Sequence, residues 1–342
     1  MGGLHLPFHL QKPLAEPHSS FSDKTIVVTG ANSGLGFEAA AKFAALGAKR
    51  VILAVRDVSK GEQAKEAIKS RTGTGTGAGT TDVLEVWQLD MNSYSGIRAF
   101  ATRASSDLDR LDIAVLNAGV FMTGYETSSY GWEETMQVNV LSTALLALHL
   151  LPKLKETARQ GGGGGSSPVL EFVSSRRHEK VVLPEAALNT GTVFETFDQA
   201  ANYNSSKQYQ ASKFFLMCVM RKLAGLVESD VLITAVCPGF CQSNLSRGHQ
   251  GFFADLVRAV LNALVLRTSE QGSRALVSGA AVGPEGHGRL WYDDGVHDLL
   301  HPLLSPDNGQ PAVDKVWDEL LAALEKDVPE TKQLLAELTR LS

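Results

Sequence analysis

From Lys24 onward the sequence alternates short β-branched runs with longer stretches of helical periodicity, and this rhythm limits the fold more than any other feature of the chain. β-Branched and aromatic side chains fit a pleated, buried surface, and parallel strands need connections long enough to hold a helix. Strands are expected at Thr25–Thr29, Val51–Val55, Val83–Gln88, Ile113–Leu116, Val169–Val173, Val231–Val236 and Arg289–Tyr292. Helices are expected near 35–46, 58–70, 94–106, 131–155, 207–227 and 269–281. Seven strands joined by crossovers predict one α/β domain, a doubly wound (Rossmann-type), seven-stranded, mostly parallel sheet with helices on both faces. The chain has 342 residues, 44% of them hydrophobic, enough to bury the core of such a domain.

The expected organisation is a flexible arm over residues 1–22, the domain over 23–300, and a helical C-terminal extension over 301–342. The extension contains two amphipathic stretches, Val313–Glu325 and Glu330–Leu341, suited to packing on the domain or joining subunits. Two glycine-rich tracts, 72–81 and 160–167, read as surface linkers on the edge opposite any ligand crevice, because each leads from a helix into a strand. Residues 176–206 differ, since they leave the carboxyl end of a strand on the crevice side. With Phe194, Phe197 and Tyr203 among Arg176, Arg177 and Glu195, this insertion is expected to fold over a substrate as a lid.

Charge excludes several partners. With 32 Lys and Arg against 37 Asp and Glu, a formal charge of −5, no basic field exists to hold nucleic acid or an anionic membrane. Cys218, Cys237 and Cys241 have neither zinc spacing nor a disulfide framework, which points to a reducing, cytoplasmic setting. The first twenty residues have no apolar run resembling a secretory signal, and the best candidate for a membrane span, Val138–Leu151, is too short. The sequons at Asn204 and Asn244 then read as chance matches. His178, His249 and His297 are too far apart in sequence to propose a metal site.

Chemistry concentrates at the ends of the predicted strands. After the first strand comes TGANSGLG, in which Gly30, Asn32, Ser33, Gly34, Leu35 and Gly36 open an alanine-rich helix. Glycines there allow a tight turn and close backbone approach, and the helix N-terminus offers free N–H groups to a pyrophosphate. The segment ANYNSSKQYQASKFF carries two overlapping pairs, Tyr203 with Lys207 and Tyr209 with Lys213. Either pair would share one helix face, where an ammonium lowers the pKa of a nearby phenol and makes it a proton donor.

The spacing Gly-x-x-x-Gly-x-Gly resembles that of the short-chain dehydrogenase/reductases, and TGANSGLG is most similar to the retinol-dehydrogenase-like branch and to fungal members of secondary metabolism. The resemblance covers roughly residues 22 to 295. It implies a role for Arg56, twenty residues beyond Gly36, where a carboxylate would bind the ribose of NAD and an arginine pairs with the 2′-phosphate of NADP(H). Asp57 beside it works against that preference, and the glycine loop carries no second basic residue. The same resemblance assigns Asp90, beside the adenine amino group, and Met91 to the cofactor site. It assigns Asn117, Ala118 and Gly119 to the adenosine wall, and Pro238, Gly239 and Ser243 to the nicotinamide end.

Ser175 is expected to hold the substrate carbonyl, and Asn139 to hold a water against the lysine. From Lys213 to Pro238 is 25 residues, close to the family spacing, whereas Lys207 would require 31. The amphipathic pattern of Phe214, Leu216, Met217, Met220 and Leu223 also begins only after Lys213, so Tyr209 and Lys213 are expected to be the working pair. The resemblance implies hydride transfer between NADP(H) and a small carbonyl or alcohol, with Ser175 and Tyr209 on the oxygen. It also implies a homodimer or homotetramer. Phe121, Met122, Phe240, Phe252, Phe253, Trp291 and Tyr292 fall near crevice loops and predict an apolar or polycyclic substrate. The alternative is a chain of the same fold that binds cofactor and catalyses a non-redox cyclisation or isomerisation, or serves as a regulator.

Overall fold

The computed structural model describes residues 13–74, 82–161, 166–227, 230–241, 266–305 and 307–341. Its strands are β1 Thr25–Thr29, β2 Arg50–Val55, β3 Leu84–Gln88, β4 Ile113–Leu116, β5 Val169–Val173, β6 Leu232–Cys237, β7 Leu290–Tyr292 and β8 Gly295–His297. They form one sheet in the order β3-β2-β1-β4-β5-β6-β7-β8, parallel throughout except that β8 runs antiparallel to β7. The sheet therefore has eight strands, one more than the rhythm predicts. The added strand is only three residues long, too short to show periodicity. Its turn is Asp293-Asp294, both at positive φ (47° and 59°), which closes a tight hairpin with the Asp294-Gly295 pair one residue beyond the turn centre.

Alternation along the strands splits the core in two. On one face Ile26, Val28, Leu53 and Val236 pack against α1 (Gly34–Ala45) and Ala275, Leu276 and Val277 of a later helix; on the other, Val27, Ile52 and Phe172 meet Leu145, Phe214 and Phe215. The remaining helices are α2 Val58–Thr72, α3 Tyr94–Asp107, α4 Glu134–Arg159, α5 Glu185–Asn189, α6 Val193–Phe197, α7 Ser205–Leu226, α8 Ser269–Gly279, α9 Gln310–Asp327 and α10 Thr331–Leu341. The sequence direction reverses between β1 and β4, which sit side by side at the centre of the sheet. A crevice opens outside the carboxyl ends of strands at such a point.

Helix α4 is long and apolar enough to cross a membrane, but 89% of its apolar window is buried inside the domain. It begins as α-helix, widens to a π-turn over Gln137–Ser142, and returns to α-helix from Thr143. The three cysteines are free thiols.

Two expectations need correction. Residues 13–22 are not a loose arm: Leu14 and Phe21 are buried, the Phe21 ring meets Phe43 edge-on at 4.8 Å, and Glu16 pairs with Lys42 and Arg274. Nor do Phe194 and Phe197 of the 176–206 insertion turn toward the crevice. Phe194 stacks on Phe215 at 4.9 Å and Phe197 meets the same ring edge-on, so both are core anchors. Glu319 of α9 accepts from the N–H groups of Val193 and Phe194 at 2.7 and 3.0 Å, satisfying the start of α6. The C-terminal helix α9, which packs on α7, thus clasps the insertion from behind.

Candidate active site

The carboxyl ends of β1 to β6 surround a cleft of about 790 Å³. Its first wall is the glycine loop. Gly30 and Gly34 have φ of 68° and 58°, and a methyl group added to Gly34 would meet no atom within 4 Å, so the backbone there faces open space. The first turn of α1 holds no acidic residue, and Ser33 precedes it without a side-chain cap, leaving the helix N–H groups directed to the cleft. Asn32, Ser33 and Leu35 line the same wall. Gly36 does not. A methyl group there would lie 2.5 Å from Asn117 Nδ2 and 2.6 Å from the Gly30 carbonyl oxygen, so this glycine brings the helix against the loop and does not face the cleft.

Thr29, which the sequence reading passes over, ties this wall to the next. Its hydroxyl accepts from the N–H groups of Asn117 and Ala118 at 2.9 and 2.8 Å, while Asn117 Nδ2 donates to the Thr29 carbonyl at 2.8 Å. Asn117, Ala118, Gly119, Asp90 and Met91 all line the cleft. Arg56 stands exposed at the end of β2 and makes no ion pair among the described residues. Asp57 is occupied differently, capping α2 through Lys60 N at 3.2 Å and lying 3.8 Å from the Lys60 ammonium. Lys60 lines the cleft as well and supplies a second cation. In sequence it is one charge among many on a solvated helix.

At the other end Ser175, Tyr209 and Lys213 converge on the cleft. Ser175 and Tyr209 line the same end of the cleft, and the Lys213 ammonium is 5.7 Å from the Tyr209 ring centre. Lys213 is 7% exposed and donates to the Val173 carbonyl at 2.9 Å, and its burial brings the pKa down to about 8. The expected depression of the Tyr209 pKa by Lys213 is not found. Burial of the phenol raises its pKa above the ordinary value, and the groups opposing this rise are Arg177 and the Ser175 hydrogen bond.

Tyr203 precedes α7, whose cap is Asn204, so Tyr203 and Lys207 do not share a helical turn. The Tyr203 hydroxyl donates to the Met122 carbonyl at 2.8 Å. Asn139 sits in the π-turn of α4, buried, with its amide spent on protein: Oδ1 accepts from Val120 N at 2.8 Å, and Nδ2 donates to Val120 O at 2.9 Å and Ser212 Oγ at 3.2 Å. A π-turn at such a position is a common mark of a functional site.

Pro238 and Gly239 close the cleft after β6, with Arg267 Nη1 donating to the Pro238 carbonyl at 3.0 Å. Ser243, His249, Phe252 and Phe253 lie outside the described residues. Phe121, Met122 and Phe240 line the cleft. Trp291 and Tyr292 do not: Trp291 donates to Ser278 Oγ at 2.9 Å on the α8 side, and Tyr292 lies beneath the Arg176 guanidinium at 4.8 Å. His178 Nδ1 donates to the Ser175 carbonyl at 2.7 Å, a role the sequence does not advertise. Among the described residues no group of three His, Cys, Asp or Glu side chains is arranged to hold a metal ion.

Comparison with known proteins agrees with this geometry. A family model described as short chain dehydrogenase matches residues 24–164. The short-chain dehydrogenase/reductase ffsI of Aspergillus flavipes is 39% identical over 329 residues, covering 95% of this chain and 93% of that protein. The chain belongs to the short-chain dehydrogenase/reductase family. A second relative, phmF of Phaeosphaeria nodorum, is 37% identical over 94% of this chain and 93% of its own length. These relatives are fungal, and the likeness to the retinol-dehydrogenase branch finds no support in them. Among solved structures, a Mycobacterium paratuberculosis protein has the same fold with a TM-score of 0.59, at 24% identity over 93% of this chain and 95% of that one. A short chain dehydrogenase from Escherichia coli CFT073 complexed with NADPH matches with a TM-score of 0.53, at 23% identity over 82% of this chain and 100% of its own.

Proposed function

We propose that this family member is an NADP(H)-dependent oxidoreductase that interconverts a carbonyl and an alcohol on a small apolar or polycyclic substrate, in a step of fungal secondary metabolism. The observation that carries the reading is the convergence of Ser175, Tyr209 and Lys213 at one end of a cleft whose other end presents Arg56 and Lys60. The cofactor fits the residues present. The uncapped start of α1 and the open backbone at Gly34 suit a pyrophosphate, the Asn117-Ala118-Gly119 edge and Asp90 suit an adenosine, and Arg56 with Lys60 suits a 2′-phosphate. When bound, NADP(H) supplies or accepts the hydride.

The chain's own residues do the rest. Ser175 Oγ and Tyr209 Oη hold the carbonyl oxygen, and a pair of donors preorganised where negative charge develops contributes roughly 3–4 kcal/mol per donor in comparable sites. Tyr209, kept protonated by its buried surroundings, delivers the proton to that oxygen during reduction. Lys213 holds an ammonium 5.7 Å from the phenol ring, and Arg177 and the Ser175 hydroxyl favour the tyrosinate left after proton transfer. Asn139 acts by position, fastening the Val120 turn to the Tyr209 helix through Ser212.

The test is a fluorescence titration with NADPH and NADH of wild type and Arg56→Ala, followed by turnover of a ketone panel. A tenfold or greater preference for NADPH, lost in the variant, is expected from one charge-assisted contact of about 1.5–3 kcal/mol. Equal affinities in wild type remove the cofactor assignment, and a chain that reduces no ketone at saturating NADPH removes the reaction.

A further inference from the structure

Two consecutive arginines leave the Ser175 strand, and the fold treats them oppositely. Arg176 turns away from the cleft, forms a fork with both oxygens of Glu179 at 2.7 and 2.9 Å, and covers Tyr292. Arg177 lines the cleft. Its guanidinium donates to Ser206 Oγ at 3.1 Å, its backbone N–H reaches Ser175 Oγ at 3.3 Å, and among the described residues it makes no ion pair.

That arrangement leaves a part-buried cation with one neutral partner, although a guanidinium has five donors in a fork that matches a carboxylate. Removing such a charge from water costs free energy that an anion can offset. Two carboxylates do not serve: Glu179, nearest in the chain, is committed to Arg176, and Glu126, on the cleft wall, forms no ion pair with Arg177.

The cofactor's phosphates do not account for it either. The glycine loop follows β1 and Arg56 follows β2, whereas Arg177 follows β5, three strands from β2. At about 4.8 Å per strand this places Arg56 and Arg177 roughly 14 Å apart along the sheet edge. Around Arg177 the wall holds the Ser175 and Tyr209 hydroxyls and the apolar side chains of Phe121, Met122 and Phe240. The positive charge also opposes the burial-driven rise of the Tyr209 pKa.

We infer that Arg177 is the anion-recognising residue of the substrate site, and that the preferred carbonyl substrates carry a carboxylate or comparable anionic oxygen on an otherwise apolar body. The inference deepens the redox reading of the same site and rests on it for the word substrate. Recognition of the anion is a separate binding event and is measured separately.

The probes are 2-, 3- and 4-acetylbenzoate and their methyl esters, which differ in charge at nearly constant shape. Calorimetric binding to the NADP⁺-loaded wild type should favour at least one carboxylate over its ester by tenfold or more. The ratio should fall to within twofold in Arg177→Gln and largely survive in Arg177→Lys, with circular dichroism and NADPH affinity reporting the folding of each variant. No preference in wild type for any isomer overturns the inference, as does a ratio unchanged in Arg177→Gln. Turnover with NADPH then separates the two readings. Arg177-dependent binding without reduction of any probe defeats the redox reading alone, and reduction without a charge preference defeats the Arg177 inference alone.

Discussion

Glu171 lies at the centre of β5, wholly buried, and neither carboxyl oxygen meets a hydrogen-bond partner among the described residues. Thr234, opposite it on β6, has an unpartnered hydroxyl as well. Burial without compensation pushes the Glu171 pKa well above its ordinary value, so the group stays neutral in the fold. The unfolded chain ionises it near pH 4.5. Below that pH both states are protonated and no linkage penalty exists. Above it the unfolded state gains a favourable ionisation that the fold forgoes, at about 1.4 kcal/mol per pH unit for as long as the buried carboxyl remains protonated. That cost grows with pH, and about 1–3 kcal/mol for unmade hydrogen bonds is present at any pH. Glu171→Met, unbranched and similar in length, should therefore stabilise the protein by about 1–3 kcal/mol at acid pH and by more at pH 7. With an unfolding entropy near 0.7 kcal/mol/K for a chain of this size, about 1–3 kcal/mol raises the melting temperature by roughly 1–4 °C. Calorimetric melts at pH 4.5, 6 and 7 should show the gap between variant and wild type widening with pH. A variant less stable at pH 7, or a gap independent of pH, would refute the argument.

Tyr209→Phe should abolish carbonyl reduction with NADPH affinity kept within a few-fold, whereas Tyr203→Phe, which loses a hydrogen bond to the Met122 carbonyl worth about 1 kcal/mol and a long contact of 3.5 Å to Glu133 Oε1, should retain turnover; steady-state kinetics on both decides, and the reverse pattern contradicts the assignment. Because the Lys213 pKa is brought down to about 8, its ammonium is present below that pH and lost as pH rises through it, so kcat/KM for reduction should fall above pH 8; a flat profile from pH 6 to 9 would count against the role of Lys213. Gly34→Ala adds a methyl group to open cleft at positive φ and should weaken NADPH binding with little change in fold, while Gly36→Ala drives a methyl into Gly30 and should lower the melting temperature; equal effects of the two on stability and binding would erase the distinction.

The parts of the site legible in the sequence share one property: each is fixed by its distance from a strand end. The glycine loop, Asn117, Ser175 and the Tyr209–Lys213 pair fall where a β-run stops or a helix face begins, and a parallel sheet brings those points to one edge. What escaped reading depends on contacts that spacing does not encode. Lys60 looks like a solvated charge, and Arg177 like one of several charges on a lid, until their neighbours are known, because Asp57 turns out to be a helix cap and Glu179 a partner for Arg176. The π-turn at Gln137–Ser142 leaves no mark in residue propensity, and Gly36 carries the same letter as its loop neighbours while facing the other way. The insertion misled for the plainest reason. Position alone puts its phenylalanines near the reaction centre, but the Phe194 and Phe197 rings pack on Phe215, and the start of α6 is held by Glu319, more than a hundred residues further on. A segment held that firmly from behind cannot swing as a whole over the cleft. Its influence on substrate must pass through the two points where it does face inward, the Arg177 guanidinium at its beginning and the Tyr203 contact with Met122 at its end.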